Sequence, residues 1–199
     1  DKSISHRALI LGSLSNDVSK IKNLSSANDV IGTKNCLKAC GVKIDDENDI
    51  SLIQGGTFSD PINSLDCGNS GTTVRLLMGL LSSNNISATL IGDKSLSKRP
   101  MDRVIVPLKQ MGAIINSKSG RLPIRIKKSK GLKSIDYSMS IASAQVKSAI
   151  IIASLAIEGT TTIREEYKSR NHTEIMVKNM GVDILIRDRI IINNNNNLK

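Results

Sequence analysis

Three stretches of this 199-residue sequence repeat one order of features: a polar start, an apolar helix, a second polar start, an amphipathic helix, a glycine, then alternating strands. The first helices read SISHRALILGSLS, SGTTVRLLMGLLS and SAQVKSAIIIASLA. Their basic residues Arg7, Arg75 and Lys147 lie 68 and 72 positions apart, and the glycines closing the second helices, Gly41, Gly112 and Gly181, lie 71 and 69 apart. A period near 70 that holds at both landmarks predicts three copies of one supersecondary unit.

Periodicity separates the elements within each copy. In the middle one, Val104, Ile105, Leu108 and Met111 form a single stripe ahead of Gly112, with Pro100 expected in the first turn. Strand-like alternation follows each closing glycine, at 42–44, 113–115 and 182–186, and a further strand follows at 50–53, 122–126 and 189–192. The first helices differ: ALIL, LLMGLL and AIIIASLA are apolar nearly all round, which marks them as interior helices. With helices at the centre, the sheets must lie outside. The expected fold is therefore an α/β (α+β) inside-out domain of three βαβαββ-like units, about 1–66, 67–138 and 139–192, related by pseudo-threefold symmetry with mixed sheets on the outer faces. The tail from Ile192 to Lys199, INNNNNLK, is low-complexity, so 193–199 reads as a linker toward a second domain. The start at Asp1, without Met and directly in a dense polar cluster, reads as a piece of a longer protein.

Interior helices packed side by side in one direction bring their polar starts to one end. That end would hold Lys2, Ser3, Ser5, His6 and Arg7 from the first start, Asn69, Gly71, Thr72 and Arg75 from the second, and Ser143, Gln145 and Lys147 from the third. The second-helix starts add Lys98 and Arg99, then Ser169, Arg170 and His172. Cations, hydroxyls and outward N–H groups at helix N-termini are equipment for phosphates and carboxylates. GNSGTTVRLL, at 68–77, nevertheless matches neither phosphate-loop nor dinucleotide spacing, and alone it also reads as a plain helix cap. Asp29, Asp102 and Glu174 read as first-turn caps of the second helices. The only histidines, His6 and His172, lack a triad-like context and suit capping or packing. The run RIKKSK, 125–130, reads as solvated strand end and loop.

Charge narrows the partners. A net charge of +10 attracts nucleic acid, anionic lipid or small anions, but aromatic residues are only 2% with no Trp, which counts against single-strand and RNA readers. The longest apolar run, Ala149 to Ile157, is too short for a membrane span. Cys36 and Cys40 lie four apart with no second Cys or His pair, so buried thiols in a reducing cytoplasm are the expectation, not a metal site.

The motifs DKSISHRALILGSL, DCGNSGTTVRLLMGLL, GDKSLSKRPMDRVIVPLKQMGA, ASAQVKSAIIIASL and KSRNHTE, in that order along nearly the whole chain, resemble the 5-enolpyruvylshikimate-3-phosphate (EPSP) synthase family. The fold also resembles that of the UDP-N-acetylglucosamine enolpyruvyl transferases. The resemblance implies transfer of the enolpyruvyl group of phosphoenolpyruvate to the 5-hydroxyl of shikimate 3-phosphate, by addition and elimination of phosphate. It further implies no metal or organic cofactor, a cytoplasmic monomer without nucleic-acid or membrane partners, and a C-terminal domain that closes over the substrates. On matching positions, Lys2 would act catalytically between both substrates. Ser3, Arg7, Ser143, Gln145, Ser169 and Arg170 would bind shikimate 3-phosphate, and Asn69, Gly71, Thr72, Arg99 and Gln145 would line the phosphoenolpyruvate side. Gly71 implies sensitivity to glyphosate. Two departures stand out: Ala144 follows Ser143 where many relatives carry a second serine, and His172 stands where some have Tyr. A basic nucleic-acid-binding module built on the same repeats is the alternative from another class.

Overall fold

In the computed structural model, residues 1–194 are described. The chain runs α1 (Lys2–Leu14), β1 (Val18–Lys22), α2 (Asn28–Ala39), β2 (Lys43–Glu47) and β3 (Ile50–Gln54). It continues with β4 (Leu65–Asp66), α3 (Gly71–Ser83), β5 (Ala88–Ile91), the single turn α4 (Lys94–Ser97), α5 (Asp102–Gln110), β6 (Ile114–Lys118) and β7 (Arg121–Lys127). Last come β8 (Asp136–Met139), α6 (Ala144–Ser154), β9 (Gly159–Glu165), α7 (His172–Asn179), β10 (Asp183–Ile186) and β11 (Arg189–Asn194).

The second and third units share one sheet topology. The middle sheet has the order β4-β5-β7-β6 and the last β8-β9-β11-β10, each with its first two strands parallel and the others antiparallel. The first sheet, β1-β3-β2, is the same arrangement without the leading strand, and is antiparallel throughout. Two expected unit boundaries shift as a result. Leu65 and Asp66 pair with Leu90 and Ile91, and Asp136 to Met139 pair with Thr162 to Glu165, so β4 and β8 belong to the units that follow them. A strand as short as β4 carries no alternation to read, and helix starts alone cannot say which sheet it joins. The tail also shifts: Asn193 and Asn194 extend β11 opposite Thr160 and Gly159, and only 195–199 of the expected linker lie outside the described residues.

The core sits where the repeat expects it. Leu9 to Leu11 of α1, Leu76 to Met78 of α3 and Ala149 to Ala153 of α6 are almost wholly excluded from solvent, while β7 alternates exposed and buried residues along its length. α3 and α6 approach closely because Gly79 has no side chain; a Cβ there would stand 2.4 Å from the carbonyl oxygen of Ala149. The second helices end on glycines with φ of 90°, 104° and 86° at Gly41, Gly112 and Gly181, the left-handed closure their sequence implies. Pro100 precedes α5 instead of occupying its first turn, since Met101 is the N-cap.

Candidate active site at the helix starts

The caps of the interior helices are side chains that accept from the first free N–H groups: Asp1 from Ile4, Ser70 from Thr73 and Ser143 from Val146. Side-chain bonds then tie the helix starts of all three units together. Lys2 Nζ on α1 donates to Asp29 Oδ2 on α2 at 2.8 Å, and Thr33 Oγ1 on α2 lies 2.7 Å from Thr73 Oγ1 on α3. Arg75 on α3 donates to Gln145 Oε1 on α6, whose amide returns a bond to Thr72 Oγ1 at 2.9 Å. Arg7 on α1 donates through Nε to Thr173 Oγ1 on α7 at 2.7 Å and through Nη2 to Ser148 Oγ on α6 at 2.8 Å. The helix starts of the three units therefore converge at one end, with cations from the first two units and hydrogen-bonding side chains from the third.

The sharpest concentration of charge lies around Gly71. A Cβ built there would meet Arg75 Nη1 at 3.2 Å and Arg99 Nη1 at 3.4 Å, so two guanidinium groups face the bare Cα. Arg99 is aimed by Asn69, whose Oδ1 accepts from Nη2 at 2.7 Å; Asn69 in turn donates to Asp93 at 2.6 Å. Burial, then repulsion from Arg103 and Arg99, lowers the Arg75 pKa, and among the described residues its buried Nε has no partner. Cations crowded in this way lose repulsion when an anion enters. Arg103 is the participant that sequence reading missed; it lies one residue beyond Asp102 on α5, in the first turn that faces Arg75.

Other candidates sit deeper. Arg7 is 3% exposed and spans three elements; burial lowers its pKa, Glu174 opposes that shift and Arg170 adds to it, which puts the exposed Arg170 in its neighbourhood. His6 is buried, with Nδ1 2.7 Å from Thr33 Oγ1, and burial followed by the fields of Asp29, Lys2 and Arg7 leaves its pKa at about 4, so it is neutral near pH 7. This matches the packing role expected of it. His172 is only partly buried, with a pKa lowered by burial and then by Arg7 and Arg170. Ser3 lends its carbonyl to Arg7, and Ser143 is occupied as the α6 cap.

Lys147 departs from expectation. Instead of joining the surface it is 1% exposed, bonded to Glu165 Oε2 at 2.8 Å and Glu174 Oε1 at 2.6 Å. Glu174 is thus the partner of a buried ammonium, not merely a first-turn acid, because the apolar run of α6 carries Lys147 under the α7 start. Ser169 donates its hydroxyl to Glu165 Oε1 at 2.6 Å and its N–H to the same oxygen at 3.2 Å. Asp29 likewise spends its carboxylate on Lys2, while Asp102 stands in the first turn of α5 as expected. Among the described residues no three His, Cys, Asp or Glu side chains cluster to hold a metal ion, and Cys36, Cys40 and Cys67 are free and buried.

This arrangement of cations at convergent helix starts, on three topological repeats, has relatives. The family described as EPSP synthase (3-phosphoshikimate 1-carboxyvinyltransferase) matches residues 1–199. The chain belongs to the EPSP synthase family. A 3-phosphoshikimate 1-carboxyvinyltransferase of Caldicellulosiruptor bescii is 50% identical over 188 residues, covering 92% of this chain and 43% of that protein. One from Streptococcus agalactiae is 45% identical over 196 residues, covering 96% and 46%. In three dimensions the chain is similar to the EPSP synthase of Acinetobacter baumannii, with a TM-score of 0.93 at 36% identity over 100% of this chain and 46% of that one. The chain therefore has the EPSP synthase fold and spans about half the length of the curated relatives it matches. No helix among the described residues is long and apolar enough to cross a membrane.

Proposed function

We propose that this chain supplies the anion-binding half of an enolpyruvyl transferase acting on phosphoenolpyruvate and shikimate 3-phosphate. The observation that carries the reading is the pair of guanidiniums, Arg75 and Arg99, that face Gly71 at the convergent helix starts. Such a pair of cations suits a small ligand with both carboxylate and phosphate, and Gln145, bonded to Arg75 and Thr72, stands beside it. Shikimate 3-phosphate would lie across α1, α6 and α7, with its carboxylate toward Arg7 and Ser3 and its phosphate toward Ser143, Ser169 and Arg170. Lys2 stands between the two sets. Its ammonium is about half exposed and free to leave Asp29 for the reacting oxygens.

The chemistry follows from these placements. The 5-hydroxyl attacks C2 of phosphoenolpyruvate while C3 takes a proton; the tetrahedral adduct then expels phosphate and returns a proton from C3. Cations fixed around the phosphate stabilise the leaving group without rearranging. A second domain of the same enzyme would close the site and exclude water, so this chain alone binds substrate weakly and does not turn over. A cytoplasmic monomer without nucleic-acid or membrane partners is the corresponding setting. The names of the relatives favour a phosphoshikimate acceptor over an amino-sugar nucleotide.

Calorimetric titration with shikimate 3-phosphate is the test, using this chain and an Arg7→Ala, Ser169→Ala double variant. Binding that the double variant loses is expected. Equal binding by both would overturn the assignment.

A further inference from the structure

Every backbone and side-chain polar group of Ser169 is held by two buried side chains. Glu165 Oε1 accepts both its N–H (3.2 Å) and its hydroxyl (2.6 Å), and Lys147 Nζ lies 3.5 Å from its carbonyl oxygen. The Glu165 and Lys147 side chains are 3% and 1% exposed. Two convergent donors on one acceptor oxygen are also what a phosphate oxygen requires. A hydroxyl has one proton and a backbone amide one, so neither can serve a carboxylate and a ligand at once.

From this geometry we infer that Glu165 is a built-in place-holder, a carboxylate occupying the Ser169 donors that a phosphate monoester must take over. The inference rests on the reading of Ser169 as a phosphate ligand. It adds a positioning residue, Glu165, that touches no substrate and sets how costly the phosphate site is to fill. When phosphate takes the donors, Glu165 Oε1 is left in a buried cluster already rich in acceptors. Lys147 is committed to Glu165 Oε2, Glu174 Oε1 and the Ser169 carbonyl, and Glu174 Oε2 has no partner among the described residues. Displacement therefore costs a desolvated oxygen, which a doubly charged phosphate offsets better than a neutral hydroxyl or a single carboxylate. The device lowers affinity for the correct ligand and lowers it further for an unphosphorylated analogue.

The sign of one substitution separates this from a plain structural brace. Glu165→Gln removes the competing charge and is expected to tighten shikimate 3-phosphate binding to this chain by about ten-fold, the equivalent of one charge-assisted hydrogen bond. The gain should vanish in a Ser169→Ala background and be clearly smaller for Glu174→Gln, which removes the same charge but keeps the Ser169 bonds. Weaker binding by Glu165→Gln, where Ser169→Ala also weakens it, overturns the place-holder and leaves the site standing. An equal gain from Glu174→Gln overturns it too, because charge alone would then suffice. Binding that Ser169→Ala does not alter, or no binding by any variant at millimolar ligand, overturns the phosphate-site reading itself. Should Glu165→Gln fail to fold, the Ser169 amide proton resonance of the unaltered chain decides: it should shift on saturation with shikimate 3-phosphate, and an unmoved resonance ends the proposal.

Discussion

The two ends of the interior helices are made from the same three helices and could hardly differ more. At the starts, Lys2 and Arg7 of the first unit converge with Arg75 and Arg99 of the second, with crowded guanidiniums around Gly71. At the far end, Leu14, Asn84 and Leu155 border a cavity of about 370 Å³ in which, among the described residues, Glu158 is the only charged lining residue. There one late carbonyl of each helix accepts from a protein donor: Leu80 O from Asn84 Nδ2 at 2.9 Å, Leu155 O from Asn194 Nδ2 at 2.7 Å, and Ser13 O from Gly56 N at 3.0 Å. A helix leaves unsatisfied groups at both ends, so what distinguishes a site from a finished surface is which of them the sequence leaves spare.

The strongest way to break the contrast is at Lys147, a cation of the site end that is buried against two carboxylates. Lys147→Met strands Glu165 and Glu174 in the interior, and breaking a buried pair of this kind costs about 3–5 kcal/mol. Urea unfolding should show a loss of that order. A loss within about 0.5 kcal/mol, as for an ordinary surface change, would mean that the cluster is wetter than its burial implies.

His6 gives the next largest effect, through pH. Its pKa is lowered from 6.5 to about 4 in the folded chain, so the folded state favours the neutral ring. The stabilising contribution is complete above the unfolded value of 6.5 and is lost as pH falls through about 4. It amounts to roughly 3 kcal/mol over that window. Because carboxylates titrate in the same range, the measurement is the difference between this chain and His6→Gln. The two unfolding curves should differ in pH slope between 6.5 and 4, and parallel curves would refute the shift.

These two residues also mark how far the sequence can be read. The repeat made the interior helices, the closing glycines and the converging starts legible, because each is a periodicity or a backbone requirement carried by local residues. Arg75 and Arg99 were legible as cations at polar starts. The inward turn of Lys147 was not, since its partner Glu165 is 18 residues away and ends β9, and nothing local distinguishes it from Arg7 and Arg75. Glu165 was invisible for the same reason, as one acid among many on a strand end. The unit boundaries were missed where β4 is two residues long and its identity lies wholly in its parallel pairing with β5. The hydroxyl contacts between Thr33 and Thr73, and between Ser148 and Thr173, also escaped, because a lone hydroxyl on an apolar helix shows its partner only in three dimensions.

A smaller effect sharpens the charge side of the comparison. Arg99→Ala removes one of the two guanidiniums over Gly71 and frees Asn69. Being near the surface, it should leave stability nearly unchanged and weaken phosphoenolpyruvate binding in the assembled enzyme by about ten-fold, the usual scale for a charge-assisted bond. The loss should shrink as salt rises. Unchanged affinity would remove Gly71 and its arginines from the candidate site.

The smallest expected effect lies at the far end, and its smallness is the point. Glu158 is exposed at the cavity where the interior helices finish, and α3, with 13 residues, is about 20 Å long. That is more than twice the Debye length of about 8 Å at physiological salt. Glu158→Gln should therefore alter neither stability by more than about 0.5 kcal/mol nor shikimate 3-phosphate affinity by more than about two-fold. Both can be read from one set of melts and titrations. A larger change in affinity would mean that the ends communicate through the helices, and the anion site would then depend on the whole length of the core instead of on the side chains gathered at its start.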